Sequence, residues 1–578
     1  MKRIFAAIAF LGLAFSAGAQ NIFDAMTYSQ NSYYGTARTM ALGNAVTAVG
    51  GDLGTVGINP AGSAVAGYGQ FTITPGLSFS ATTSYFSPIG DKQFGVGSKI
   101  NGTRKSLPNM GVSFVVDTGN DWGLKSMTFA MVSNQTNQYF NMFGAAGHNS
   151  STSRLAELAA TASNFGYNAN VMGNYDSFYD SDYYWDVIAA YRANCFGGYG
   201  DKGDYAASSE YIPLGTDYHY VPGQLNQSST VERYGAKHDI VLNMGMNFND
   251  NFFLGFNLGI PTLSYQYYEH FSESPENSEL FPVTFKEVDD KGKELFTDTY
   301  FKRGATDYSF ITDIDGIYAK VGAIFLPTDG LRLGAAIQTP TSYTITETWQ
   351  NSASSSYANS KYNASESSPV GDYTYCLRSP YIVDFGVAYT FGANGFISVD
   401  YELADYSVMR FSDIYDHRDV YDDPFLMENE VNHLFAGVSH SLRVGAEVKL
   451  TPMFAIRAGY SLITSPERYA VDEFGGEVTS DLYMDDFYTY HDGNIRLPEF
   501  KYYGDKQSAY SAGFGFSSNG SFFADFAVRL NKYENSYFSP YYDYANFNSE
   551  GLPANTKSPR VMTERSLWDA VLTLGWRF

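Results

Sequence analysis

The chain has 578 residues, with 61 acidic side chains against 37 basic ones for a net charge of −24, only 2 cysteines, and 48 Tyr, 44 Phe and 55 Gly. That balance excludes nucleic acid as a partner, because phosphate recognition needs basic patches. No stretch beyond Gln20 offers the roughly 18 consecutive apolar residues of a membrane-spanning helix, whereas aromatic and glycine richness suits strands that are apolar on one face only.

The first nineteen residues read as a secretory signal peptide. Lys2 and Arg3 open it, Ile4 to Phe15 form an apolar run, and Ala17-Gly18-Ala19 is a small-residue cleavage site. The run is shorter than the roughly 20 residues a spanning helix needs. The mature chain is expected to start near Gln20, where 35 basic residues against 61 acidic ones leave −26.

Residues 20–69 do not alternate. The run Gly35–Gly62 is rich in Gly and Ala, with Asn59 placed as an N-cap and Pro60 at a first helical position, followed by Ala61. Arg38 and Asp52 are the charges expected to tie this segment to a polar wall. So many small residues suit a plug packed inside a narrow lumen.

Period-2 alternation begins near residue 70 and recurs in pairs. Ile240, Leu242, Met244, Met246 and Phe248 share one face; Asn249-Asp250 turns the chain, and Phe252, Leu254, Phe256, Leu258 and Ile260 continue that face. In the last segment Trp568, Ala570, Leu572, Leu574, Trp576 and Phe578 alternate with mostly small or polar residues. Fourteen such strands are predicted, near 70–80, 108–117, 123–134, 236–248, 251–262, 312–326, 331–346, 379–391, 395–408, 436–450, 453–463, 507–517, 521–533 and 565–578. Alternate connections are short and carry turn residues; the others are long. Short periplasmic turns and long extracellular loops are the cadence of outer-membrane barrels. The expectation is an all-β, 14-stranded antiparallel transmembrane barrel over residues 70–578, its N-terminal hatch at 20–69, surrounded by outer-membrane lipid and lipopolysaccharide.

The largest extracellular loop is expected at 135–235, with helical spacing at Ser153–Ala162 and Trp185–Arg192 that reads as a folded cap. Cys195 falls in this loop and Cys376 in a later one; a disulfide and two separate thiols are both open. Acid clusters at Asp419, Asp422 and Asp423, and at Asp481, Asp485 and Asp486, could hold calcium, although solvated loop tips are the commoner use. No nucleophile elbow, zinc pair or phosphate loop occurs, so neither an enzyme nor a cofactor is expected.

The glycine-rich Gly35–Gly62 run with Asn59-Pro60-Ala61 ahead of fourteen strands, together with Leu331–Thr341 and Ala455–Ser461, resembles the FadL/TodX outer-membrane transporters. The long loops look like the versions found in Bacteroidota. The resemblance implies passive transport of hydrophobic small molecules such as long-chain fatty acids, with a hatch that gates the lumen. The alternative it admits is an accessory barrel that binds other envelope proteins within a larger machine.

Strand parity places charged residues inside, among them Asp384, Asp400, Glu402, Glu447, Lys449, Asp525 and Arg529. Inward Phe253, Tyr318, Ile324, Phe396 and Phe523 are the expected apolar contacts of a ligand, and Arg443 or Arg457 the partner of a carboxylate head group.

Overall fold

Fourteen antiparallel staves close into one ring in the computed structural model, which describes residues 22–578 apart from 91–92, 181, 200–203, 290–291, 415–423, 472–476, 479–488, 492–493, 497–498 and 519. The first strand, Gln70–Ser87, pairs on one side with Ser98–Asp117 and on the other with Arg560–Arg577, and that second pairing closes the ring. Several staves are broken in two along their length. Leu331–Gln338 continues as Ser342–Tyr357, and the neighbouring stave breaks at the same level between Gly371–Arg378 and Ile382–Thr390. Pro340 and Pro380, which lack an N–H for the ladder, lie in those two breaks; Thr341 and Ser379 bond across them at 2.9 Å. The two calcium candidates lie outside the described residues.

Alternation does what it predicts. Leu242, Phe256 and Leu258 stand exposed on the outside while Asn243 and Asn257, one position along, are buried. Trp576 meets Phe71 and Phe522 on the outer surface near the short-turn end, and Trp568 stands exposed farther along the same strand. The turn at Asn249 and Asp250 holds both residues in the left-handed region, with φ of 55° and 61°, a conformation these side chains tolerate best after glycine.

The strands run farther than the apolar pattern. Glu294–Phe325 is 32 residues long and Leu225–Phe248 and Phe252–Pro275 are 24 each, whereas Phe454–Thr464 has 11. A tilted membrane strand needs about 9–11, so one side of the barrel rises well beyond the apolar band. The loop expected at 135–235 is therefore shorter: Asn141–Asn149 and Leu225–Phe248 pair within it, leaving 150–224. Beyond the band the strands no longer need an apolar outer face, and their polar residues conceal them.

The described residues of 150–224 carry short helices that pack against the tall strands. Ser153 accepts from the Ala156 N–H to start the helix Arg154–Asn164, which packs with Trp185–Arg192. Leu155, Leu158, Ala159 and Ala162 bury as their spacing predicts, against Phe271, Phe301 and Tyr357 from the tall strands. Arg154 pairs with Glu157 and, at 3.0 Å, with Asp186, joining the two helices. Burial outweighs Arg154 at Glu157 and pushes its carboxyl up to about 7. Cys195 is buried in this cap and Cys376 sits on a barrel strand; both are free thiols.

Candidate functional site: the filled lumen and its seam

The segment 22–67 bonds to strands on every side of the ring, which puts it inside. Ala37 N–H donates to Thr573 at 2.7 Å, Thr47 N–H to Asp400 at 2.6 Å, and Asn59 to the Ala323 carbonyl at 3.1 Å. Asn243 donates to the Pro60 carbonyl at 3.0 Å and Arg529 to the Tyr33 carbonyl at 2.9 Å. Asn59 caps Pro60–Val65, a 3-10 helix with Pro60 at its first position, as the sequence predicts. Arg38 reaches the wall through Glu447 at 3.1 Å. Asp52 does not: it caps Leu53–Thr55, accepting from Gly54 N–H at 2.8 Å and from Thr36 at 2.6 Å. A carboxylate so close to an unsatisfied helix start serves the segment itself rather than the wall.

What lets backbone meet backbone is a belt of inward glycines. A Cβ built on Gly255 would stand 2.2 Å from the Pro60 carbonyl carbon, and one on Gly334 would stand 2.2 Å from the Thr47 carbonyl oxygen. Gly245, Gly322, Gly445 and Gly459 meet the segment equally closely. Sequence reasoning missed this belt, although an isolated glycine inside a strand pattern is a sign of close backbone approach.

The predicted lumen residues do point inward, but they are spread around the plug instead of around one cavity. Phe253 and Ile324 pack on Ala61 and Ala64. Phe396 packs on Leu42, Val46 and Val49. Tyr318 donates to Asp239 at 2.9 Å, and Phe523 lies against Gly575 with Arg577 4.8 Å from its ring centre. Arg443 is held by Glu402 and sits 5.0 Å from the centre of the Tyr33 ring. Arg457 pairs with Glu447 at 2.7 Å and Asp525 at 2.5 Å. Lys320 and Asp384 form a further buried pair at 3.0 Å. These charges satisfy one another, the arrangement that buried ions require.

The wall has a seam that begins within the apolar band. The ladder between Ser98–Asp117 and Leu124–Gln138 ends at Asn109 opposite Asn134. Beyond it, among the described residues, 98–106 pair with the first strand and 141–149 pair with 225–233, so no ladder joins them to each other. Asn109 lies opposite Thr74, between the outward Phe71 and Phe79, so the seam starts within the apolar band. Phe140 closes it over Gly102, where a Cβ would come within 2.5 Å of the ring. The carbonyls that the ladder leaves behind go to the plug: Ser32 N–H donates to Thr136 at 2.7 Å and Tyr34 N–H to Gln135 at 2.9 Å. Asn137 and Lys237 add bonds to the Gln30 carbonyl at 3.1 and 2.8 Å.

Closed, apolar outside and filled inside, this is a membrane-spanning β-barrel with an internal plug. No family model and no curated protein matches the chain. Among solved structures it is similar to a Pseudomonas aeruginosa FadL homologue, at 10% identity and a TM-score of 0.47 over 95% of this chain and 99% of that one. It is also similar to the Pseudomonas putida toluene transporter TodX, at 12% identity and a TM-score of 0.42 over 95% of this chain and 100% of that one. A third similar structure is the CymD monoaromatic hydrocarbon channel, at 10% identity and a TM-score of 0.42 over 94% and 97% of the two chains.

Proposed function

We propose that this chain is an outer-membrane channel of the FadL/TodX kind, a passive route for hydrophobic small molecules such as long-chain fatty acids. The observation that carries the reading is the seam whose free carbonyls are held by Ser32 and Tyr34 of the plug. Segment 22–67 then acts as a hatch: while it is seated the lumen is filled and the seam is latched. When residues 27–34 let go, an apolar molecule that has entered beneath the cap meets an opening in the wall at the level of the lipid tails. It leaves there without crossing water, which favours an apolar cargo over a solute.

Locking the seam tests this. The pair Gly102→Cys and Met142→Cys, in a background with Cys195→Ser and Cys376→Ser, places two thiols across it. Oxidation is expected to abolish uptake of labelled oleate by cells, and a reductant to restore it. Uptake that survives a complete cross-link refutes the route.

The height of the strands favours a second reading, a binding platform for other envelope proteins. At about 3.3 Å per residue, the 32 residues of Glu294–Phe325 run far beyond what a bilayer requires. Purification in mild detergent separates the two: a stoichiometric protein partner supports the platform, and a barrel that purifies alone retires it.

A further inference from the structure

On the short-turn side of the plug lies a cavity of about 260 Å³, walled by Arg38, Val49 and Val65 from the plug and by Arg332, Phe396 and Lys449 from the barrel. Its volume equals that of on the order of nine waters at about 30 Å³ each. Three of those six residues are cations, and the acid at the cavity, Glu447, is already shared between Arg38 at 3.1 Å and Arg457 at 2.7 Å.

Arg332 stands out. Its Nε and Nη2 are shut off from solvent and have no hydrogen-bond partner, and it makes no salt bridge among the described residues. An arginine is always charged and its planar fork matches an oxyanion. Buried donors without acceptors are costly to maintain. The positive surplus is local, since the chain as a whole carries −24. Val49, Val65 and Phe396 give the cavity an apolar side as well.

We propose that this cavity is an oxyanion-binding site in which Arg332, with Arg38 and Lys449, holds a carboxylate or phosphate group on the far side of the plug. Two sources share that chemistry, the head group of an acidic amphiphile and free phosphate; the apolar side favours the amphiphile. The site goes beyond the channel reading: cargo that leaves through the seam does not pass it, and its ligand enters from the short-turn side, where Thr390, Gly392 and Gly395 line the cavity.

Binding is read on the purified full-length barrel in non-ionic detergent at low salt, by calorimetry, with octanoate, octanol and inorganic phosphate as probes. Octanoate is expected to bind at least tenfold tighter than octanol. Arg332→Gln is expected to weaken octanoate binding by about ten- to a hundredfold, the range for a hydrogen bond to a charged group. Phosphate binding that also depends on Arg332 supports the site and, where octanoate fails to bind, assigns it to the free anion. Octanoate and octanol of equal affinity with no phosphate binding, or an unchanged Arg332→Gln, overturns the proposal. Heat-modifiable gel migration reports whether that variant is folded. If it is not, Lys449→Gln at the exposed rim takes its place and is expected to weaken octanoate severalfold; no change overturns the proposal. Because binding is read on isolated protein and seam transit on cells, either can fail without the other.

Discussion

Gly255 and Pro60 touch backbone to backbone: a methyl group on Gly255 would lie 2.2 Å from the Pro60 carbonyl carbon and 2.3 Å from the Ala61 nitrogen. Neither atom belongs to a flexible side chain, so one of the two elements has to move. Gly255→Ala is expected to cost about 1–3 kcal/mol and to unseat the plug locally. Planar-bilayer recordings are expected to show frequent channel openings in this variant and few in the parent. A variant as silent as the parent would show that the plug can give way here without opening a path.

Glu447 bridges the plug to the wall by holding Arg38 and Arg457 together. Removing it with Glu447→Ala leaves two partly buried arginines without that acceptor, a loss of about 3–5 kcal/mol by the cost of breaking a buried pair. Arg38→Ala is expected to cost less, since Glu447 keeps Arg457. Urea unfolding followed by gel mobility ranks the two, and equal losses would place the stabilisation elsewhere.

The cap carries a pH dependence. Burial raises Glu157 to about 7 from the usual 4.5, with Asp186 raised in the same direction by its own burial. Between those two values the folded cap keeps a proton that an unfolded one has lost, so stability is greatest below pH 4.5 and falls as pH rises toward about 7. Hydrogen exchange over residues 154–164, corrected for intrinsic rates, is expected to show stronger protection at pH 5 than at pH 8. Glu157→Gln is expected to flatten much of the slope; stronger protection of the parent at pH 8 would reverse the sign.

Burial also raises the Cys195 thiol well above the ordinary range. A maleimide is expected to leave Cys195 unlabelled in the folded barrel and to label it after unfolding. Mobility on gels is expected to be the same with and without reductant, because the two cysteines stand apart as free thiols.

Fourteen strands were legible because lipid imposes one apolar face on each, and the turn residues separate them. Asn59-Pro60 and the cap helices were legible for similar reasons, through caps and helical spacing. The upper halves of the strands were not. Residues such as Asn351 to Ser356 read as a polar loop, yet they form part of Ser342–Tyr357, paired with the longest strand and covered from inside by the cap. The seam left no trace in the pattern, since it is an absence of ladder bonds between 98–106 and 141–149, which both lie outside the strands that alternation marks. Arg332 showed itself as an inward cation only once its missing partners could be seen.

The ring closes between its first and last strands, through pairs such as Ser78 with Asp569, whose side chains bond at 2.6 Å. Contacts so distant in sequence form late, because they close the largest loop in the chain. The plug precedes the first strand, so it is made before any part of the wall. A folding pathway in which the wall curls round an occupied centre needs no later threading of 22–67 through a finished cylinder. The glycine belt is then the surface along which strands Leu225–Phe248 through Lys506–Ser517 can close down onto the plug without a side chain in the way.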